Sequence, residues 1–117
     1  MKQILIIRGG GRPKGNTAQL VAAFKRGAEE AGHQVEVVSL IKKEVKGCLG
    51  CNACRYGKPC IQKDDFNELA PKIKAADLVV FASPLYFWTL SSRIKALIER
   101  FYCIAEKDTD PPLGRYE

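Results

Sequence analysis

The segment Gly9-Gly10-Gly11-Arg12-Pro13-Lys14-Gly15 constrains the fold more than any other part of the chain. Its glycines and proline break regular structure and allow backbone conformations closed to other residues. Before it stands an isoleucine-rich run over residues 3–7, suited to a buried strand. After it, Leu20, Val21, Phe24, Ala28 and Ala31 recur at helical spacing and are predicted to face inward. Asn16 or Thr17 is placed to cap that helix, and Gly32 to stop it. Residues 34–40, with Val35, Val37, Val38 and Leu40, read as a second strand. Strand, helix and strand in this order make a βαβ unit, whose crossover between parallel strands is right-handed.

The rest of the chain extends that plan. Residues 41–63 interleave lysine, glycine and cysteine without any period and read as one long loop, a length that in a compact domain marks function. Asp64 or Asp65 is placed to cap a second helix carrying Phe66, Leu69, Ile73 and Ala76 inward. Pro71 within it predicts a kink or an irregular start. Leu78–Ala82 is a third strand, apolar on both faces, and Ser83–Trp88 a loop with three adjacent aromatics. A last helix begins near Ser91, with Ile94, Leu97, Ile98, Phe101 and Ile104 inward. Residues 108–117 are polar and broken by Pro111-Pro112. The order β-α-β-loop-α-β-α predicts an α/β doubly wound parallel sheet of three layers, with the first strand between the second and third. At 117 residues this is one domain, 1–117.

Composition bounds the function. Hydrophobic residues make up 46% and charged residues 27%, which argues against wholesale disorder. No apolar run approaches the ~18 residues of a membrane helix, and Lys2 before a short apolar run is not a signal peptide. A cytoplasmic location with no membrane partner is expected. The net charge of +6 is uneven: residues 1–63 carry twelve Lys/Arg and four Asp/Glu, or +8, and residues 64–117 carry seven and nine, or −2. A basic half suits an anionic partner, a phosphorylated cofactor or nucleic acid, or is simply a solvated surface. No nucleic-acid reader motif is present, so none is expected to bind.

Three segments carry candidate chemistry. The glycine loop feeds a helix N-terminus, where free N–H groups and the helix dipole favour a phosphate, and Arg12, Asn16 and Thr17 add charge and donors. It is not a nucleotide-triphosphatase loop, because Asn16 stands where that loop needs lysine, nor a G-x-G-x-x-G fingerprint, because position 14 is lysine. A terminal monophosphate fits better. Tyr86-Phe87-Trp88 cannot all face one core, so at least one is expected against a flat ring or a partner subunit. A phosphate beside an aromatic ring system describes FMN. The third segment is Cys48-x2-Cys51-x2-Cys54-x5-Cys60, whose successive x2 spacings match ferredoxin-type ligation of [4Fe-4S]. Zinc, or four reduced thiols without metal, are the alternatives. Gly47, Gly50 and Gly57 would permit tight wrapping, and Lys46, Arg55 and Lys58 would offset a cluster's charge. Cys103 reads as a small core residue. His33 reads as a surface residue, and no Ser/His/Asp or paired-carboxylate arrangement appears, so no catalytic side chain is assigned.

On these segments the chain resembles the NADPH-dependent FMN reductase-like branch of the flavodoxin-like superfamily, and within it the iron–sulfur flavoproteins. The likeness rests on Arg12-Pro13-Lys14-Gly15-Asn16-Thr17, the cysteine motif followed by Asp64-Asp65, and Ser83-Pro84-Leu85-Tyr86-Phe87. It implies Gly10, Arg12, Asn16 and Thr17 at an FMN phosphate, Pro84, Leu85, Tyr86, Phe87 and Trp88 along the isoalloxazine, and Cys48, Cys51, Cys54 and Cys60 on [4Fe-4S]. It also implies a homo-oligomer, a dimer or tetramer, with flavin near the subunit interface. Family members often have Ser at the position of Gly10 and Pro at that of Gly11, and they continue through two more strands and helices. An apolar Leu78–Phe81 at the edge of a 2-1-3 sheet would be an aggregation hazard. The chain is therefore expected to be the N-terminal part of a longer domain, or to have its edge covered by a partner. The expected function is NAD(P)H oxidation through FMN, with electrons passed to a quinone, flavin or iron–sulfur acceptor. The rival is a flavin or iron–sulfur electron carrier or redox sensor. A zinc-stabilised interaction module is weaker.

Overall fold

A computed structural model describes residues 1–10, 14–54, 60–106 and 113–114. Its main sheet has three parallel strands, β1 (Gln3–Arg8), β2 (Gln34–Ser39) and β3 (Leu78–Ala82), in the order β2-β1-β3. The expected central place of the first strand is observed. The reason lies in β1 itself, where Ile4 to Ile7 are all buried. Four consecutive apolar side chains need cover on both faces, and both neighbours for their backbone. Ile6 sits level with Val37 on one side and Val80 on the other.

The faces divide by the pleat. Leu5 and Ile7 join the larger core, packed by α2 (Phe66–Ala75) and α3 (Ser92–Arg100) through Phe66, Leu69, Ile73, Ile94 and Leu97. Ile4 and Ile6 meet Val21 of α1 (Asn16–Glu30) on the opposite face, with Ala28 packed beside them. This is the expected three-layer α/β/α arrangement.

Several local expectations change. Gly15, not Asn16 or Thr17, occupies the N-cap of α1, and no side chain caps the helix. Leu20 and Phe24 stand 72% and 42% exposed, and Ala31 is also exposed. Among the described helices α1 alone covers this face, and it does so through the narrow stripe of Val21 and Ala28, which leaves its flank in solvent. At α2 the N-cap position is Asp65, whose side chain makes no capping bond, while Asp64 Oδ1 accepts from Phe66 N at 3.1 Å. Asp65 instead accepts from Glu44 N at 2.6 Å and so fastens the long loop. The helix is regular from Phe66 and runs through Pro71. Ser91 caps α3 by accepting from Ile94 N.

Two features were not expected. A 3-10 turn, Leu40–Lys42, follows β2, and after the 3-10 turn Phe101–Ile104 the two-residue strands β4 (Ala105–Glu106) and β5 (Leu113–Gly114) pair antiparallel. Among the described residues β3 pairs only with β1, and its Leu78 and Phe81 are partly exposed. No helix among the described residues is long and apolar enough to cross a membrane.

Candidate functional site

The carboxyl ends of β1 and β3 bring two of the predicted loops together. Gly9 N donates to Ala82 O at 2.8 Å, extending the β1–β3 ladder past the strand. A Cβ added at Gly9 would overlap Ile94 Cγ1 and Ser91 Oγ, and one at Gly10 would lie 3.1 Å from Pro84 Cγ. The glycines therefore allow the β1–α1 loop to rest directly on the β3–α3 loop, so Gly10 and Pro84 are adjacent. Arg12 and Gly11 lie outside the described residues.

Asn16 and Thr17 form the first turn of α1, which has neither a side-chain cap nor an acidic residue. Its N–H groups and dipole are available to an anion. Two polar atoms that sequence reasoning missed stand nearby. Arg8 and Ser39 are paired in register at the carboxyl ends of β1 and β2. Arg8 Nε and Ser39 Oγ are buried without any hydrogen-bond partner. By strand alternation they lie on the face of Ile4 and Ile6, the one α1 covers. Buried donors without partners are costly, and a bound acceptor would satisfy them. The signal in the sequence was an arginine closing an otherwise apolar strand.

The β3–α3 loop is clamped at its base, where Ser83 Oγ donates to Pro84 O and accepts from Ser91 N, both at 2.8 Å. Beyond the clamp, Tyr86 and Thr89 exchange two backbone hydrogen bonds, making Phe87-Trp88 a two-residue turn. Both turn residues have positive φ, 48° and 71°. That conformation costs a side-chain-bearing residue about 1–2 kcal/mol. Phe87 is 94% and Trp88 84% exposed, with Leu85 and Tyr86 exposed beside them. The expectation that these aromatics do not all enter the core is met. The turn thus holds two large rings in solvent on a strained backbone.

All five cysteines converge on a second locus. Cys48, Cys51, Cys54, Cys60 and Cys103 line one cavity of about 20 Å³ together with Arg100 and Tyr102. Cys103 is buried as expected, but its place on this cavity was not anticipated. The loop reaches the required turns through Gly50 (φ 70°) and Asn52 (φ 60°). Cys48 Sγ accepts from Gly50 N at 3.3 Å, and Cys48 N donates to Glu99 Oε1 at 3.2 Å. Among the described residues Arg100 reaches a cysteine, with Nη2 donating to Cys60 Sγ at 3.3 Å. Lys46, expected to offset charge here, pairs its ammonium with Glu44 instead. Arg55, Gly57 and Lys58 lie outside the described residues.

Four soft thiols around one space are the donor chemistry of thiolate-ligated iron. In kind the residues fit. The cavity, however, holds about one water, and among the described residues no three Cys, His, Asp or Glu side chains are grouped to hold a metal ion. Cys48 and Cys51 are exposed, Cys60 is half-buried and Cys54 is buried.

Burial alone would push the Asp64 carboxyl up. The Arg100 hydrogen bond, the N–H groups of Lys46 and Phe66, and the guanidinium charge outweigh that and hold it below its ordinary range. Arg100 is affected conversely: burial opposes its charge, and Asp64 and then Cys60 raise its pKa.

The model of the NADPH-dependent FMN reductase family matches residues 2–114. The chain belongs to that family. Within reach of the NADPH-dependent FMN reductases, it is 38% identical to an iron-sulfur flavoprotein of Methanocaldococcus jannaschii over 84% of this chain and 51% of the relative. It is 31% identical to an iron-sulfur flavoprotein of Archaeoglobus fulgidus over 93% of this chain and 49% of the relative. The solved structure of an NAD(P)H:quinone oxidoreductase from Methanothermobacter marburgensis superimposes with a TM-score of 0.70 at 25% identity, over 85% of this chain and 52% of that one. The fold is flavodoxin-like, and the chain spans about half the length of these relatives.

Proposed function

We propose that this chain carries the FMN-binding half of an NAD(P)H-dependent oxidoreductase that delivers electrons to a quinone, a flavin or an iron–sulfur acceptor. The observation that carries this is the adjacency of Gly10 and Pro84. That contact joins the end of β1, near the unpartnered Arg8 Nε and Ser39 Oγ, to the loop that carries the exposed aromatic turn, and the uncapped α1 follows β1 in sequence. An anion site next to a ring-stacking surface fits a phosphorylated flavin, and the names of the relatives agree. FMN, when bound, supplies acceptance of a hydride and release of single electrons. The residues do the rest. The first turn of α1, Asn16 and Thr17 hold the phosphate, joined by Arg12 on the family likeness. Pro84 to Trp88 cover the ring and exclude water from one side.

Cys48, Cys51, Cys54 and Cys60 are the proposed ligands of a [4Fe-4S] cluster, on the shared cavity and the relatives named iron-sulfur flavoproteins. A cytoplasmic homo-oligomer, acting on a small-molecule or protein acceptor, completes the reading. The cysteine loop also favours a second reading, an electron carrier or redox sensor without a pyridine-nucleotide site. Anaerobic titration with FMN followed by NADPH and NADH oxidation with an added quinone separates them. Flavin uptake with rapid oxidation supports the oxidoreductase. Uptake without oxidation favours the carrier, and failure to take up FMN overturns both flavin readings for this chain.

A further inference from the structure

One buried side chain from α3 ties both ends of the cysteine loop. Arg100 is 1% exposed. Its Nη1 donates to Lys46 O at 3.0 Å and to Asp64 Oδ2 at 2.6 Å, and its Nη2 donates to Cys60 Sγ. Lys46 precedes the first cysteine of the motif and Cys60 is its last, so a single guanidinium spans the motif. Asp64 reinforces the bridge by accepting from Lys46 N at 3.0 Å. The Phe66 ring lies against the guanidinium, 4.8 Å from centroid to Cζ.

A purely structural clasp does not require this chemistry. Removing a guanidinium and a carboxylate from water is expensive, and a well-packed apolar pair at such a place is often no less stable. An arginine does two things an apolar side chain cannot: it donates a directed hydrogen bond to a sulfur, and it sets positive charge beside a group of thiols. Its planar fork also reaches three acceptors at once, which a lysine ammonium does not reproduce.

We propose that Arg100 is the positioning residue of the cysteine site, fixing Cys60 and both loop ends and setting the charge around the sulfurs. This rests on the reading of the cysteine loop as an iron–sulfur site. Hydrogen bonds to sulfur and local charge govern the potential of such a centre. Partners that orient ligands are worth ~10–100-fold in metal affinity.

The test uses the whole chain as wild type, R100K and R100M. Each is incubated without oxygen with ferrous iron and sulfide, and iron content and midpoint potential are measured. Backbone hydrogen exchange is followed in the metal-free proteins. R100M is expected to hold iron ~10–100-fold more weakly. R100K is expected to recover part of that affinity, but with a lower potential than wild type, because the charge stays while the hydrogen bond to Cys60 is lost. Both variants should exchange faster at residues 46–48 and 60–64. A potential and affinity unchanged in R100M overturn the proposal. If the wild type takes up no iron, the iron–sulfur reading fails by itself. The positioning role is then judged on exchange alone, and unchanged exchange in R100M overturns it. If R100M does not fold, R100K carries the same decision.

Discussion

Asp64 and Arg100 have side chains 3% and 1% exposed and 2.6 Å apart, so neither charge has water to fall back on. Removing one leaves the other buried and unpaired. D64A is expected to lose about 3–5 kcal/mol of stability, measured as a shift of the urea midpoint. The pair also predicts a pH dependence. Because the folded carboxyl titrates below its ordinary 3.8, its contribution is complete above that value and fades as pH falls through the lower, folded one. The stability gap between wild type and D64N should therefore be largest near neutrality and shrink as the pH falls below the ordinary 3.8. A gap that grew in acid would contradict the assignment. Asp64 and Asp65 both read from sequence as capping candidates; Asp65 holds the N-cap position of α2, and Asp64 accepts from Phe66 N. The ion pair of Asp64 was not legible, because the partner lies 36 residues away on another helix.

At the scale of elements, α3 organises both candidate loci. Its start, Ser91 and Ile94, presses against Gly9 and holds the aromatic loop through Ser83. Its end, Glu99 and Arg100, holds the cysteine loop. G9A would force β1 and α3 apart, at a cost of about 1–3 kcal/mol. It should weaken FMN binding along with stability, read by thermal melting and flavin fluorescence. The Phe87-Trp88 turn predicts the opposite combination. W88G relieves a left-handed tryptophan and should gain about 1 kcal/mol of stability. It also removes an exposed ring and should bind FMN less tightly. A variant that lost stability while keeping flavin affinity would show that the tryptophan serves packing. The aromatic cluster was plain in the sequence. Its turn geometry was not, since Phe-Trp is an unfavourable pair for two successive positive φ angles.

For the whole molecule, a ligand that binds only the folded chain raises its stability by mass action. FMN at 100 times its dissociation constant should add about 2.7 kcal/mol, visible as a higher melting temperature, and an unchanged melting curve would count against the site. Residue order alone determined the βαβ start, the 2-1-3 sheet and the two loops at its carboxyl end. Period and punctuation are local properties, and parallel crossovers have one hand. The spacing of four cysteines likewise marked them as one group before any coordinate, and they line one cavity. Tertiary structure decided what depends on distant neighbours. It left Leu20 and Phe24 in solvent, because coverage of a helix face depends on what packs there and not on its period. It brought Cys103 to the other four cysteines, and it assigned the charge beside them to Arg100 rather than to Lys46. A buried cation goes where a carboxylate and hydrogen-bond acceptors meet, and only the packed chain brings those groups together.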